Sequence, residues 1–195
     1  EETDAIALSI RVAALAAIVA LPFAVGVACV LARWRFRGKI LFDALVHLPL
    51  VLPPVLTGYV LLVLLGRHGA IGAWLERWFG VSVAFRWTGA VIAAAVMAFP
   101  FFVRSVRLSI EAIPRELDEI AASLGAGSWQ RFWRVLLPLS LPGIAAGTTL
   151  AFAKALGEFG ATITFVSNIP GETRTIALAI QSLTQVPGEL GGAHI

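Results

Sequence analysis

The residues whose types and spacing carry most chemistry lie in 119–138, EIAASLGAGSWQRFWRVLLP. They do not assemble a nucleophile with a base; what they offer is a surface to be gripped. Just ahead of them Pro114 can open a helix, because a first-turn residue needs no amide partner. Glu116, Asp118 and Glu119 follow, where carboxylates offset the positive end of the helix dipole. Ile113, Leu117, Ile120, Ala121 and Leu124 form an apolar stripe at helical spacing. Gly125 and Gly127 end that helix, and Ser128 is placed to cap a second one over 129–136. A short helix, a glycine corner and a second helix make a ridge; Ala121 and Ala122 let another surface approach it closely.

A second constellation is Lys154 and Glu158, four apart on one helix face and able to pair. Ionisable groups inside lipid point to function by default, although a purely structural pair fits these two as well. Thr57, Thr148, Thr149, Thr162 and Thr164 could line a polar path, or hydrogen-bond to their own helices. For catalysis the only candidates inside the apolar stretches are Lys154, Glu158 and His47, and they sit at different depths. His47 has no H-E-x-x-H companion, so no metal site is expected. Cys29 is single, which rules out a disulfide within the chain. There is no G-x-x-x-x-G-K-[ST] loop and the only lysines are Lys39 and Lys154, so nucleotide phosphates have no cradle here.

The elements that must hold these residues follow from composition. The chain is 58% apolar and only 14% charged, with a mean hydropathy of +0.87. A helix crossing roughly 30 Å of hydrocarbon needs about 20 mainly apolar residues. Residues 6–32, 45–65, 87–103 and 139–165 meet or approach that length, which predicts four spanning helices in one domain, 1–195. No alternating pattern of β-barrel strands is present, and four such blocks leave too little polar surface for a soluble fold. The isoelectric point near 9.8 does not point to nucleic acid, because the basic residues sit at span ends rather than in a separable basic domain.

Arg33, Arg35, Arg37 and Lys39 are the densest basic cluster and follow the first span directly. The positive-inside rule therefore puts the N-terminus outside and residues 104–137 in the cytoplasm. Arg104, Arg107, Arg115, Arg131 and Arg134 agree with that side. Loop 66–86 falls outside, where Trp74, Trp78, Phe79 and Trp87 suit the membrane–water interface, although Arg67, Arg77 and Arg86 make its charge bias imperfect. Pro22, Pro49, Pro53, Pro54, Pro100, Pro138 and Pro142 lie within spans or at their mouths, so kinks or breaks are expected. Broken backbone tolerates lipid poorly, which places 47–59 inside a bundle. Gly143, Gly147, Gly157 and Gly160 are candidates for close helix approach between two copies.

Written as a pattern, the first constellation reads Glu119-x-Ala121, three residues, Gly125, nine residues, Val135-x-Leu137-Pro138. It resembles the cytoplasmic coupling loop of binding-protein-dependent ABC importer permeases, E-A-A, x3, G, x9, I-x-L-P, with Ile120 and Val135 as apolar departures. Over about residues 5–190, and most clearly in 47–69, 90–108 and 156–175, the chain resembles the molybdate/tungstate branch of that family. Sulfate permeases share the Leu-Gly-Glu-Phe/Tyr-Gly run and are the nearest alternative.

The resemblance implies an all-α integral membrane protein, a type I importer permease bundle in the bacterial inner membrane, with a further span beyond Ile195. It implies that segment 114–137 couples to a separate ATPase subunit, which alone would bind ATP and magnesium, through Glu119, Ile120, Ala121, Ala122, Leu124, Gly125 and Ala126. An external oxyanion-binding protein would deliver cargo to 66–86 and 166–190, and two copies of the chain would pair. Thr57, Thr149, Lys154 and Glu158 are the candidate path residues. A membrane-embedded enzyme or a passive channel would have no reason to carry the coupling pattern.

Overall fold

The computed structural model describes residues 2–185. The turn-like run from Val186 onward lies outside the described residues. Among those described the chain is helical and contains no strand.

Helix α1 (Glu2–Arg33) and helix α5 (Trp87–Glu111) are each long enough to cross a bilayer, and so is the helical run ending in α8 (Leu137–Leu156). α5 packs along both α1 and α8, and these two also touch each other. The packing reverses the logic of a soluble bundle. Most of the α1 residues that are buried are small, among them Ala13, Ala16, Ala20, Ala24 and Ala28. Ile10, Ile18, Val19 and Phe23 of the same helix are exposed. In hydrocarbon, large apolar side chains gain little by facing inward, whereas small ones let backbones come close. α8 uses the same device on α5. A Cβ on Gly143 would sit 2.2 Å from the Ser109 Cβ, and one on Gly147 would sit 2.7 Å from the Phe102 ring. Gly143, Gly147 and Gly160 therefore serve contacts within the chain, not the copy-to-copy contact expected of them. Ser105 reinforces the seam by donating to the Gly143 carbonyl at 3.0 Å.

The expected span 45–65 is two helices, α2 (Lys39–Val51) and α3 (Pro54–Leu65), bent by 114° at the break. Consecutive prolines explain it. Pro54 disfavours helical backbone at Pro53, and Pro53 does the same to Leu52; both are extended, with ψ of 136° and 142°. Pro22, Pro49, Pro100 and Pro142 stand alone and stay inside continuous helix, so a break requires the pair. α2 rests on α5, and α3 turns away to pack on α9 (Gly160–Val166). Within one chain the expected interior placement of 47–59 is met only in part: Thr57 and Gly58 are buried, whereas Leu48, Val51, Val55 and Tyr59 are exposed.

The expected span 139–165 also divides. α8 ends at Leu156, residues 157–159 leave the helix, and α9 restarts at Gly160. Loop 66–86 contains a ten-residue helix, α4 (Ala70–Phe79). α10 (Ile176–Gln185) closes the described chain.

Long-range contacts fix which ends lie together. Arg33 at the end of α1 donates to the carbonyls of Ile110 and Ile113, both at 3.3 Å. Arg107 of α5 donates to Asp43 of α2 at 2.9 Å. At the opposite end the Arg11 guanidinium lies 4.2 Å from the centroid of the Trp87 ring, and the Ile176 amide donates to the Ser9 hydroxyl at 2.8 Å. Thus 33–43 and 104–137 share one face, while the N-terminal turn, 66–87 and 167–176 share the other.

Candidate coupling segment and transport path

Segment 114–137 leaves the α5 end through Ile113, which is buried. Pro114 stands at the N-cap of α6 (Arg115–Ser123), as its fixed φ allows. The helix ends on Leu124 and Gly125. Gly125 has φ +84°, its amide donates to the Ala122 carbonyl at 3.0 Å, and the Ala126 amide donates to the Ala121 carbonyl at 3.0 Å. These are the two bonds of a Schellman motif, which closes a helix on a left-handed residue and satisfies its last carbonyls. The fixed distance from Ala121 to Gly125 in the sequence pattern is therefore the distance this cap requires.

The chain then enters α7 (Ser128–Arg131), with Gly127 as its N-cap. Ser128, expected to cap, instead lets its hydroxyl accept from Arg131 Nη2 at 3.3 Å. Arg131 Nη1 donates to Asp118 at 2.9 Å, so one guanidinium ties the second helix back to the first. That pair is thirteen residues apart and nothing in the local pattern announces it. Residues Phe132–Leu136 form a π-helical turn before α8 begins. The wider turn runs up to Pro138, which lacks an amide hydrogen and would crowd the carbonyl of Arg134 in a regular helix.

α6 has two faces. Arg115, Asp118 and Glu119 lie towards the end of α1. Leu117, Ile120 and Leu124 lie on the opposite side and are exposed, Leu124 by 82%. Ala121 and Ala126 are half-buried against the corner, and Ala122 is exposed. An apolar ridge is thus held, by a cap and an ion pair, in a position where none of the described residues covers it.

The second constellation is at the α8–α9 break. Lys154 Nζ donates to Glu158 Oε2 at 2.5 Å. Glu158 Oε1 accepts the Ala161 amide at 3.0 Å, so this carboxylate, only 3% exposed, also satisfies the first turn of α9. Both oxygens are engaged, which explains how a charge is kept in this position. α9 and α3 meet closely there: a Cβ on Gly58 would lie 2.5 Å from the Ala161 carbonyl oxygen, and one on Gly160 would lie 2.7 Å from the Pro54 Cβ. Thr57, next to that contact, is buried and its hydroxyl meets no partner. Thr149 is apart from this group; its hydroxyl donates to the Ala145 carbonyl of its own helix at 3.0 Å. Thr148 and Thr164 bond to their own helices in the same way.

His47 and Arg107 both contact Asp43, and Arg107 also reaches Glu111 at 2.8 Å. This network between α2 and α5 escaped the sequence reading, because its members are separated by some sixty residues. On the opposite face Thr173 organises loop 167–175: its hydroxyl accepts the Ile169 amide and donates to the Ser167 carbonyl, each at 2.9 Å.

Residues 12–184 match the family model described as "Binding-protein-dependent transport system inner membrane component". The chain is 56% identical over 192 residues to the molybdenum transport system permease protein ModB of Escherichia coli K12, covering 98% of this chain and 84% of that protein. Its similarity to ModB of Haemophilus influenzae is also 56%, over 187 residues, covering 96% and 82% of the two chains. To the sulfate transport system permease protein CysT of Escherichia coli it is 40% identical over 158 residues, or 81% of this chain and 57% of that one.

Proposed function

Because the chain belongs to the family of binding-protein-dependent transport system inner membrane components, we propose that it is the membrane-spanning subunit of an ATP-driven importer of molybdate, with tungstate as a second cargo. What supports the cargo is the greater identity to molybdenum permeases than to a sulfate permease, 56% against 40%. What supports the drive is the uncovered ridge Leu117, Ile120 and Leu124.

In this reading α6 seats that ridge in a groove of a separate ATPase subunit, with Ala121 and Ala122 at the contact, while Glu119 faces the end of α1. The Schellman corner at Gly125 and the Asp118–Arg131 pair keep α6 from yielding. Closure of the ATPase pair then displaces the 114–137 segment as one body, and Arg33, bonded to the Ile110 and Ile113 carbonyls, passes the displacement to α1 and α5. Such a rigid-body shift between two packed arrangements is how inward- and outward-facing states exchange. Two ATPase subunits call for two ridges, so the working unit is a pair of chains about a two-fold axis. ATP and magnesium belong to the partner. An external binding protein presents the oxyanion to the face formed by 66–87 and 167–176.

For the cargo, Lys154, Glu158, Thr57 and Thr149 border the path. A dianion meets few fixed cations, which suits passage better than retention; specificity then rests with the delivering protein. The test is ATP hydrolysis by the complex in vesicles containing binding protein and molybdate, tungstate or sulfate. Stimulation by the first two over the third is expected. An equal or larger response to sulfate would replace molybdate by sulfate in this assignment.

A further inference from the structure

We propose that the cleft between the last turn of α1 and the polar face of α6 binds the phosphate headgroup of an anionic phospholipid from the inner leaflet. The cleft has a volume of about 630 Å³. Cys29, Val30 and Leu136 form an apolar side, and Arg33, Arg115 and Arg131 bring three guanidinium groups. Trp34 and Trp129 flank it and are largely exposed, as tryptophans at a headgroup layer are. Asp118 and Glu119 also line it, but Asp118 is already held by Arg131.

Two observations ask for an acceptor that the chain itself does not supply. The Nε atoms of Arg33 and Arg131 are shielded from solvent and meet no hydrogen-bond partner. Buried donors of this kind are rare, and a bound acceptor is one of the explanations they admit. Among the described residues Arg115 has no ion-pair partner, unlike Arg107 and Arg131. An acyl chain fits the apolar side while a phosphodiester fits the guanidinium rim, a combination that a free inorganic anion would use only in part. Arg35, Arg37 and Lys39 continue the positive surface beside it. Basic pockets between helices on the cytoplasmic side are where anionic headgroups collect. The occupied cleft would bridge the end of α1 and α6. This inference rests on the inner-face orientation of 104–137, and not on the ATPase docking or the cargo.

The test uses the purified permease–ATPase complex in phosphatidylcholine vesicles containing increasing fractions of brominated phosphatidylglycerol, read by tryptophan quenching. Brominated phosphatidylcholine is the reference. A saturable excess quenching by the anionic lipid is expected. Arg115→Gln, which removes a guanidinium that holds nothing else, should weaken it about fivefold, the scale of one basic side chain at an anionic surface. Arg134→Gln removes an equal charge from an exposed position outside the cleft and should leave it unchanged. Equal losses in the two variants would mean diffuse surface charge and overturn the site. So would the absence of any excess over phosphatidylcholine. Loss of the excess on adding millimolar inorganic phosphate at constant ionic strength would assign the cleft to a free anion and overturn the lipid reading.

Discussion

Gly125 is where the coupling argument is most exposed to measurement. Its φ of +84° lies in the left-handed region, which costs an L-residue with a Cβ about 1 kcal/mol. No steric contribution adds to this, since a Cβ built there meets nothing within 4 Å. Gly125→Ala should therefore weaken the Schellman corner by about 1 kcal/mol, roughly fivefold in the equilibrium constant between the closed and the opened corner. The assay is ATP-driven molybdate uptake by vesicles, normalised to the amount of inserted permease. Uptake should fall by up to about fivefold with insertion unchanged. Asparagine tolerates the left-handed region better, so Gly125→Asn should fall between alanine and glycine. Gly127→Ser is the control: Gly127 has φ −65° and stands at an N-cap, a place serine suits, so uptake should be unaffected. Wild-type uptake by Gly125→Ala, or a Gly127→Ser variant as impaired as it, would refute the corner as the element that holds the ridge.

Gly58→Ala should force α3 from α9, because its Cβ would meet the Ala161 carbonyl at 2.5 Å; overpacking of this kind costs about 1–3 kcal/mol, and an unchanged melting temperature in detergent would contradict the contact. Lys154→Met should destabilise more than Glu158→Gln. The first leaves a buried carboxylate with the Ala161 amide alone, at about 1–3 kcal/mol, whereas the second keeps an acceptor for that amide; the opposite order in thermal unfolding would count against the pairing. In a Cys29→Ala background, Ser123→Cys should react with a membrane-impermeant thiol reagent only from the cytoplasmic side, and Gly80→Cys only from the outside. Labelling in the reverse sense would invert the topology and separate α6 from any cytoplasmic ATPase.

The coupling segment was legible because its geometry is local. Pro114 opening α6, the carboxylates of the first turn and Gly125 closing it are all events within ten residues, and the structure places each where the pattern puts it. The long apolar helices were legible for the same reason. Of the two interrupted spans, the break at Pro53 and Pro54 was expected from the prolines but not its size, because hydropathy reports length and is blind to direction; the constraint of one proline on the next turns the chain through 114°. The interruption at 157–159 carries no proline and was not legible. The glycines misled in the other direction. Gly143 and Gly147 do allow close approach, but which helix arrives, Ser109 and Phe102 of α5 rather than a second copy, is a tertiary fact. Arg131 with Asp118, and Arg107 with Asp43, were invisible because ion pairs across elements leave no periodic trace.

The notches at Gly58 and Gly160 have a mechanical corollary. With Ala161 filling one and Pro54 the other, α3 and α9 can neither slide along nor roll over each other without a collision between backbones, so they travel as a single wedge. Any widening of the passage must then be absorbed at the two unwound joints that carry this wedge, Leu52 with Pro53 on one side and 157–159 on the other. The ion pair of Lys154 and Glu158 straddles the second joint, which makes it a clasp across a hinge.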